Sequence, residues 1–230
     1  MQRIRGFLLA GATVLALGGV LSACSSSGPD TASLSAQQIF EASKTAMTNL
    51  TSVNAKGTVV AAGKHTKIDL DVTSTNSGGA ITINNSTVNV IVTTNKDIYF
   101  KANLTFWEQT ANVPASVASL LANRWVTGIT ASQASGFTQL LNLKSLIQET
   151  FTASTVTKGA VTTIDGQSAI PLTSAKAGVG YVAASGPAYL LKIVSPHNGA
   201  KGEITFSGFD ATTAPSTPTN AVNITKFLGG

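Results

Sequence analysis

Lys67-Ile68-Asp69-Leu70-Asp71-Val72-Thr73 is the stretch that decides the fold. Ile68, Leu70 and Val72 alternate with Asp69, Asp71 and Thr73. An extended chain therefore puts the apolar side chains on one face and the carboxylates on the other. The period of two continues on both sides. Val59 and Ala61 precede it, with a turn near Gly63. Asn76-Ser77-Gly78-Gly79 turns into Ile81 and Ile83, and Asn84-Asn85 turns into Val88, Val90 and Val92. Asn95-Lys96 then leads into Ile98, Phe100 and Ala102. Short alternating runs joined by Asn/Gly turns predict an antiparallel meander with one apolar and one polar face.

Helical spacing brackets this meander. Upstream, Ser35 with Gln38 makes a capping box, and Ile39, Phe40, Ser43, Ala46, Met47 and Leu50 fall on one side of a helix over Ser35 to Leu50. Downstream, Pro114 suits the first turn of a helix continued by Val117, Leu120 and Leu121. Ala131 to Phe151 gives a second helical stretch through Phe137, Leu140, Leu141, Leu143 and Ile147, interrupted at Gly136. Strand patterns then return. Ala160 to Ile164 meets Asp165-Gly166, a hairpin signal. Gln167 to Ser174, Gly180 to Ala184, Tyr189 to Val194 and Glu203 to Phe209 follow, with turns at Ser185-Gly186-Pro187 and His197-Asn198-Gly199. Pro215 to Pro218 is a loop, and Val222 to Phe227 an edge strand. Helix, strands, helices, strands predict an α+β fold, with helices on one face of one large antiparallel sheet.

The amino terminus reads as an address. Arg3 and Arg5 precede an uncharged run from Gly6 to Val20. That run is too short for a comfortable membrane span of ~20 residues and has the layout of an export signal. Leu21-Ser22-Ala23-Cys24 resembles the lipobox of bacterial lipoproteins, in which the cysteine takes diacylglycerol and the preceding peptide is removed. Cys24 is the sole cysteine of the chain, so no internal disulfide competes for it. The expected organisation is a signal peptide over 1–23, a lipidated Cys24 (a diacylglyceryl cysteine bearing palmitate-type chains) with a flexible Ser/Gly/Pro tether over 24–34, and one domain over 35–230. The net charge of +5 falls to +3 without Arg3 and Arg5, and the remaining cations are scattered along the sequence. A nucleic-acid partner, which leaves a basic stripe, is therefore not expected.

Catalytic and metal chemistry find no signature. His65 and His197 are the histidines, both placed by the sequence in turns. No Gly-x-Ser-x-Gly elbow, phosphate-binding glycine loop or cluster of metal-ligating residues accompanies them. Asp69 and Asp71 fit a solvated strand face. The chain is expected to be neither an enzyme nor a cofactor protein. Trp107 and Trp125 flank the first middle helix and fit either core packing or a rim where an amphipathic ring meets a headgroup.

The chain as a whole resembles the actinobacterial lipoproteins of the LppX/LprG type, which share a half-barrel with the lipoprotein carrier LolA. The resemblance lies in Leu21-Ser22-Ala23-Cys24 with its tether, and in Asp97-Ile98-Tyr99-Phe100-Lys101 through Phe106-Trp107 to Arg124-Trp125-Val126. It continues in the hairpin from Tyr181 to Ile193 and in Ile204-Thr205-Phe206-Ser207-Gly208-Phe209 before a Pro-containing tail. It implies a strongly curved sheet with helices over its concave face, and an apolar cavity for the acyl chains of lipids or glycolipids. The candidate wall is Val59, Ile68, Leu70, Val72, Ile81, Ile83, Val88, Val90 and Val92. The candidate lid is Val117, Leu120, Leu121, Phe137, Leu140, Leu141 and Ile147. Periodicity fits each of these equally as plain core. Two functions follow: a monomeric, lipid-anchored binder or carrier of amphiphiles on the extracytoplasmic face of the cell membrane, or an envelope scaffold with a filled core that meets a protein partner.

Overall fold

The computed structural model describes residues 30–228 apart from 62, 85, 154, 176 and 196–199. The signal peptide, Cys24, Gly28-Pro29 and the turn at His197-Asn198-Gly199 lie outside the described residues. Helix α1 (Ala36–Thr48) starts at the expected capping box. The Ser35 hydroxyl accepts from the Gln38 amide, and Gln38 Oε1 accepts from the Ser35 amide at 3.0 Å. The meander follows as β1 (Ser52–Ala61), β2 (Lys64–Thr73), β3 (Ser77–Ile83), β4 (Ser86–Val92) and β5 (Ile98–Ala102). A π-helical turn (Phe106–Thr110) leads to α2 (Ala115–Leu121), β6 (Val126–Thr127), α3 (Ser135–Leu140) and α4 (Leu143–Thr150). The second half is β7 (Thr157–Lys158), β8 (Thr162–Ile164), β9 (Gln167–Ser174), β10 (Gly178–Ala183), β11 (Leu190–Ser195), β12 (Ala200–Ser207), β13 (Val222–Asn223) and α5 (Thr225–Leu228).

The described strands form one open, curved sheet in the order β13-β6-β5-β4-β3-β2-β1-β12-β11-β10-β9-β7, with β8 paired to β9. The expected α+β class and large antiparallel sheet are borne out. The polypeptide reaches β12 only after both halves have been laid down, so β1 pairs β2 on one side and β12 on the other. Backbone contact at this seam is tight. A Cβ at Gly57 would collide with the Glu203 carbonyl, and one at Gly202 with the Thr58 carbonyl. Both positions fall on the inner face with Ala55 and Phe206, which are buried. Glycine there lets neighbouring backbones close up and the sheet bend inward.

Several local expectations need correction. The long helical stretch breaks at Asn142 rather than Gly136, because Asn142 Oδ1 accepts from the Ser145 amide at 2.9 Å and caps a new helix. Val222 to Phe227 is not one edge strand. Only Val222 and Asn223 pair, and they do so parallel to β6, before α5 begins at Thr225. The Asn223 side chain accepts from the Thr225 amide at 3.0 Å and turns the chain. His65 lies on β2, exposed, rather than in a turn. The stretch assigned to the tether is packed from Thr31 onward. Thr31 is buried in a single 3-10 turn, and the Lys158 ammonium donates to the Ala32 and Leu34 carbonyls.

One rim is strapped by the tail after β12. Asp210 accepts from the Thr51 amide and hydroxyl at 2.7 and 2.8 Å. Further along, the Asn76 side-chain amide donates to the Pro215 carbonyl at 3.1 Å, and Asn76 Oδ1 accepts from the Thr94 amide at 3.1 Å. The tail thus crosses from the β1 end, over the β2–β3 and β4–β5 turns, to β13.

Candidate functional site

The concave face is built from the period-two pattern. Leu70, Val72, Ile81, Val88, Val90, Ile98, Phe100 and Val126 from one half of the sheet meet Val53, Ala55, Ile170, Leu172, Val182, Leu190 and Phe206 from the rest. Above them lie Ile39, Phe40 and Met47 of α1, Phe106 and Trp107 of the π turn, Ala118 and Leu121 of α2, and Leu143, Leu146 and Ile147 of α4. These residues form one continuous apolar cluster. Edge-on ring pairs join cover to sheet and cover to cover: Phe100 with Phe137 at 5.0 Å, and Phe40 with Phe151 at 5.4 Å. Such pairs hold the short helices in register beyond the burial of their area.

Nearly every expected wall and lid residue faces this interior. Ile68, Leu70, Val72, Ile81, Val88, Val90, Leu121, Leu141 and Ile147 are buried in the cluster, and Ile83, Val92, Val117, Phe137 and Leu140 pack against it half-buried. Val59 is half-buried near the end of β1. Leu120 is the exception. It is 47% exposed, on the opposite side of α2 from Ala118 and Leu121, so it is no part of a lid. The expected wall and lid residues left out Ile39, Phe40 and Met47 of α1 and the second half of the sheet, although Ile170, Leu172, Leu190 and Phe206 carry the same alternation. The described pockets are not lined by the expected wall. One, of about 150 Å³, sits between the β8–β9 turn and Leu191, Phe206 and Phe209. The other, of about 250 Å³, lies over Thr87, Asn89, Lys101 and Asn123.

Within the apolar cluster two polar atoms stand out. The Trp107 indole Nε1–H is buried without an acceptor, and the Ser43 hydroxyl on the inner side of α1 is buried without a partner. Trp107 is 2% exposed and packs edge-on against Phe106 at 5.4 Å. A buried donor without an acceptor costs about 1–3 kcal/mol, and native interiors contain few of them. Trp125 is half-buried.

The outer face is polar and paired. Lys56 bonds Asp69 at 2.8 Å, and the Asn54 side-chain amide donates to Asp71 at 2.8 Å and to Asp69 at 3.3 Å. The hydrogen bond from Lys56 holds the Asp69 carboxyl below the usual carboxylate range. Bonds from the Thr51 backbone and hydroxyl do the same for Asp210. Asp69 and Asp71 therefore belong to a solvated strand face, as the alternation implied. Among the described residues no three His, Cys, Asp or Glu side chains gather as a metal site. No described helix is long and apolar enough to cross a membrane.

An open curved sheet cupping an apolar interior under short helices is a half-barrel, and it is the LppX/LprG-type architecture expected from the sequence. Solved structures supply the comparison. LprF from Mycobacterium bovis is similar with a TM-score of 0.53 at 18% identity, over 81% of this chain and 97% of that one. The Mycobacterium tuberculosis lipoprotein LppX aligns over the same shares at 17% identity with a TM-score of 0.49. The likeness to LprF is one of fold. No protein-family model matches the sequence, and no curated protein matches it either.

Proposed function

We propose that this chain is an exported lipoprotein, anchored through a diacylated Cys24 on the extracytoplasmic face of the cell membrane, whose monomeric half-barrel binds or carries amphiphiles without catalysis. The observation that carries the reading is the pair of unpartnered polar atoms in an apolar interior. Trp107 Nε1 offers a donor, and Ser43 offers a donor and an acceptor, to a guest that is mostly hydrocarbon but bears an ester, amide or glycosidic oxygen. Lipids and glycolipids have that composition.

The cover suits such a guest. α2, α3 and α4 span Ala115–Leu121, Ser135–Leu140 and Leu143–Thr150, each two turns or so. Helices this short hold their shape through packing rather than through their own backbone bonds. They can part from the sheet piecewise, at Asn142 and in the loop before α3. An acyl chain entering there replaces side-chain contacts with its own. Two acyl chains on Cys24 suffice for firm anchoring, where one binds only marginally.

The filled-core scaffold is the second reading, favoured by the close packing of wall and lid residues into one cluster. One experiment separates the two. Full-length protein is freed of its own lipid, exposed to envelope lipid extract and weighed by native mass spectrometry. The carrier reading expects added mass equal to an acyl lipid, and expects Leu141→Trp, which puts a large ring where the guest would lie, to reduce it. An unliganded protein across the whole extract leaves the scaffold reading standing alone.

A further inference from the structure

The fold gathers at one end of the sheet cations that are far apart in the sequence. β1 turns into β2 where Ala61 pairs Lys64, β3 turns into β4 where Ile83 pairs Ser86, and β12 begins where Ala200 pairs Ala61. These turns share one end. Lys64 and Lys201 are exposed there. Lys101, half-buried, is the penultimate residue of β5, whose last residue Ala102 pairs Val88 two residues in from Ser86. Arg124 follows Asn123, whose amide donates to the Ala102 carbonyl at 2.7 Å and so joins this end.

None of these four cations makes an ion pair among the described residues. The nearby acids are Glu203, held by Lys192 at 2.7 Å, and the half-buried Glu108. Through the strand register Lys101 is level with Asp69, five residues in from Lys64, so at ~4.8 Å per strand and ~3.4 Å per residue those two stand roughly 22 Å apart, and Lys64 and Lys201 roughly 10 Å apart. The other end carries Asp97, Asp165 and Asp210 with Lys96 and Lys226, so its charges do not favour an anion.

Exposed apolar side chains join the cations. Leu104 is 40% exposed just after β5, and Leu120 is 47% exposed on α2. The Arg124 guanidinium donates to the Leu120 carbonyl at 3.3 Å, so charge and leucine are side by side. Beside Lys101 opens the pocket of about 250 Å³ lined by Thr87, Asn89, Lys101, Ala102, Asn103 and Asn123. It offers one ammonium and several amide groups, a donor set suited to a phosphate with glycerol or sugar hydroxyls. The polypeptide also enters the domain towards this end. Lys158, which holds the Ala32 and Leu34 carbonyls, pairs Leu172 two residues before the β9–β10 turn.

We propose that this end is a docking surface for an anionic phospholipid bilayer, with Lys64, Lys101, Arg124 and Lys201 against the headgroups, Leu104 and Leu120 in the interface, and one headgroup seated over Lys101, Asn89 and Asn123. The surface stands whether or not the interior takes an acyl chain. Cations at an anionic membrane each add about fivefold to the partition, falling off within a Debye length. Two leucines and several cations make a contact that salt weakens and neutral lipid does not support.

The test reads orientation locally. The full-length chain with Cys24→Ser, which removes both the acyl anchor and the competing thiol, carries a fluorophore on Leu104→Cys, or on Phe227→Cys, which is 40% exposed at the opposite end. Each is mixed with phosphatidylglycerol vesicles containing nitroxide-labelled lipid, and with phosphatidylcholine vesicles as the neutral arm. The label at 104 should be quenched on the anionic vesicles and released by salt, while the label at 227 is not quenched. Lys64→Gln with Lys201→Gln should lower the docked-to-free ratio about 25-fold, and Lys96→Gln with Lys226→Gln should leave it unchanged. Equal quenching at both positions, equal quenching on both lipids, or equal loss from both pairs of substitutions overturns the proposal. Failure of the chain to load lipid in the mass measurement leaves this result untouched, so the two readings fall separately.

Discussion

Trp107→Phe tests the interior most sharply, because two opposing terms have to cancel. The indole is 2% exposed and its Nε1–H has no acceptor. Shrinking the ring leaves a void that costs about 1–2 kcal/mol, a fraction of the ~3–5 kcal/mol for full truncation of such a side chain. Removing an unpaired buried donor returns about 1–3 kcal/mol. The ligand-free variant should therefore unfold in urea within about 1 kcal/mol of the parent, followed by far-UV circular dichroism. With an acyl lipid bound through its carbonyl oxygen, the variant lacks a hydrogen bond worth about 0.5–1.5 kcal/mol, so affinity falls roughly two- to twelvefold. Titration by native mass spectrometry reads that ratio. A ligand-free loss above ~3 kcal/mol would show that the indole already has a protein partner and is not open to a guest. Unchanged lipid affinity would show that the guest does not reach Trp107.

Other consequences follow from the fold and from the amino terminus. Gly202→Ala should destabilise by about 1–3 kcal/mol because the new Cβ meets the Thr58 carbonyl. Gly180→Ala, whose Cβ meets only the end of the Leu190 side chain at 3.3 Å, should be nearly neutral in the same urea titration. Asp210 has its carboxyl held below the usual range by the Thr51 backbone and side-chain bonds. Its contribution is present above the usual carboxylate pKa and is lost as pH falls through the lowered one. The parent should therefore exceed Asp210→Asn at neutral pH and converge with it in acid. A gap that is constant across that range would assign the effect to shape. Cys24→Ser should release the protein from the membrane fraction or stall its processing, and continued retention of the mature form would remove the lipid anchor.

The alternation made one half of the fold legible. Ile68, Leu70 and Val72 point inward because the carboxylates between them are better solvated outside, and no distant contact is needed to know it. The break at Asn142 was less visible than Gly136, because glycine only weakens a helix whereas an Asx cap starts a new one, and the cap depends on where Ser145 falls. Leu120 was misplaced because seven residues of α2 barely fix a helical phase. Its neighbours Ala118 and Leu121 take the inner side, and nothing in their spacing told which of two adjacent leucines would. The closure of β12 on β1 was hidden altogether. It pairs Asn54 with Ser207, a contact set by the path of the chain through both halves. The cationic end was hidden for the same reason, since Lys64, Lys101 and Lys201 are isolated in the sequence and are turned towards one end only by the order and direction of the strands between them.

A packed interior and a carrier's function are compatible when the cover is exchangeable. A lipid tail that buries roughly 400 Å² gains about 10 kcal/mol at ~25 cal/mol per Å². Parting α2 to α4 from the sheet would expose comparable area, so little net affinity remains if the released leucines and phenylalanines stay in water. Binding then requires the lid to close again over the guest, with Leu121, Leu141 and Ile147 packing on the tail instead of on the rest of the apolar cluster. Such an exchange conserves apolar contact and leaves the difference to a few specific terms. The largest of these is the acceptor that Trp107 and the partner that Ser43 lack. On this account a guest of pure hydrocarbon should be held poorly, and one carrying a carbonyl near its head should be held well. The polar head, not the length of the tail, would then set which lipid the protein retains.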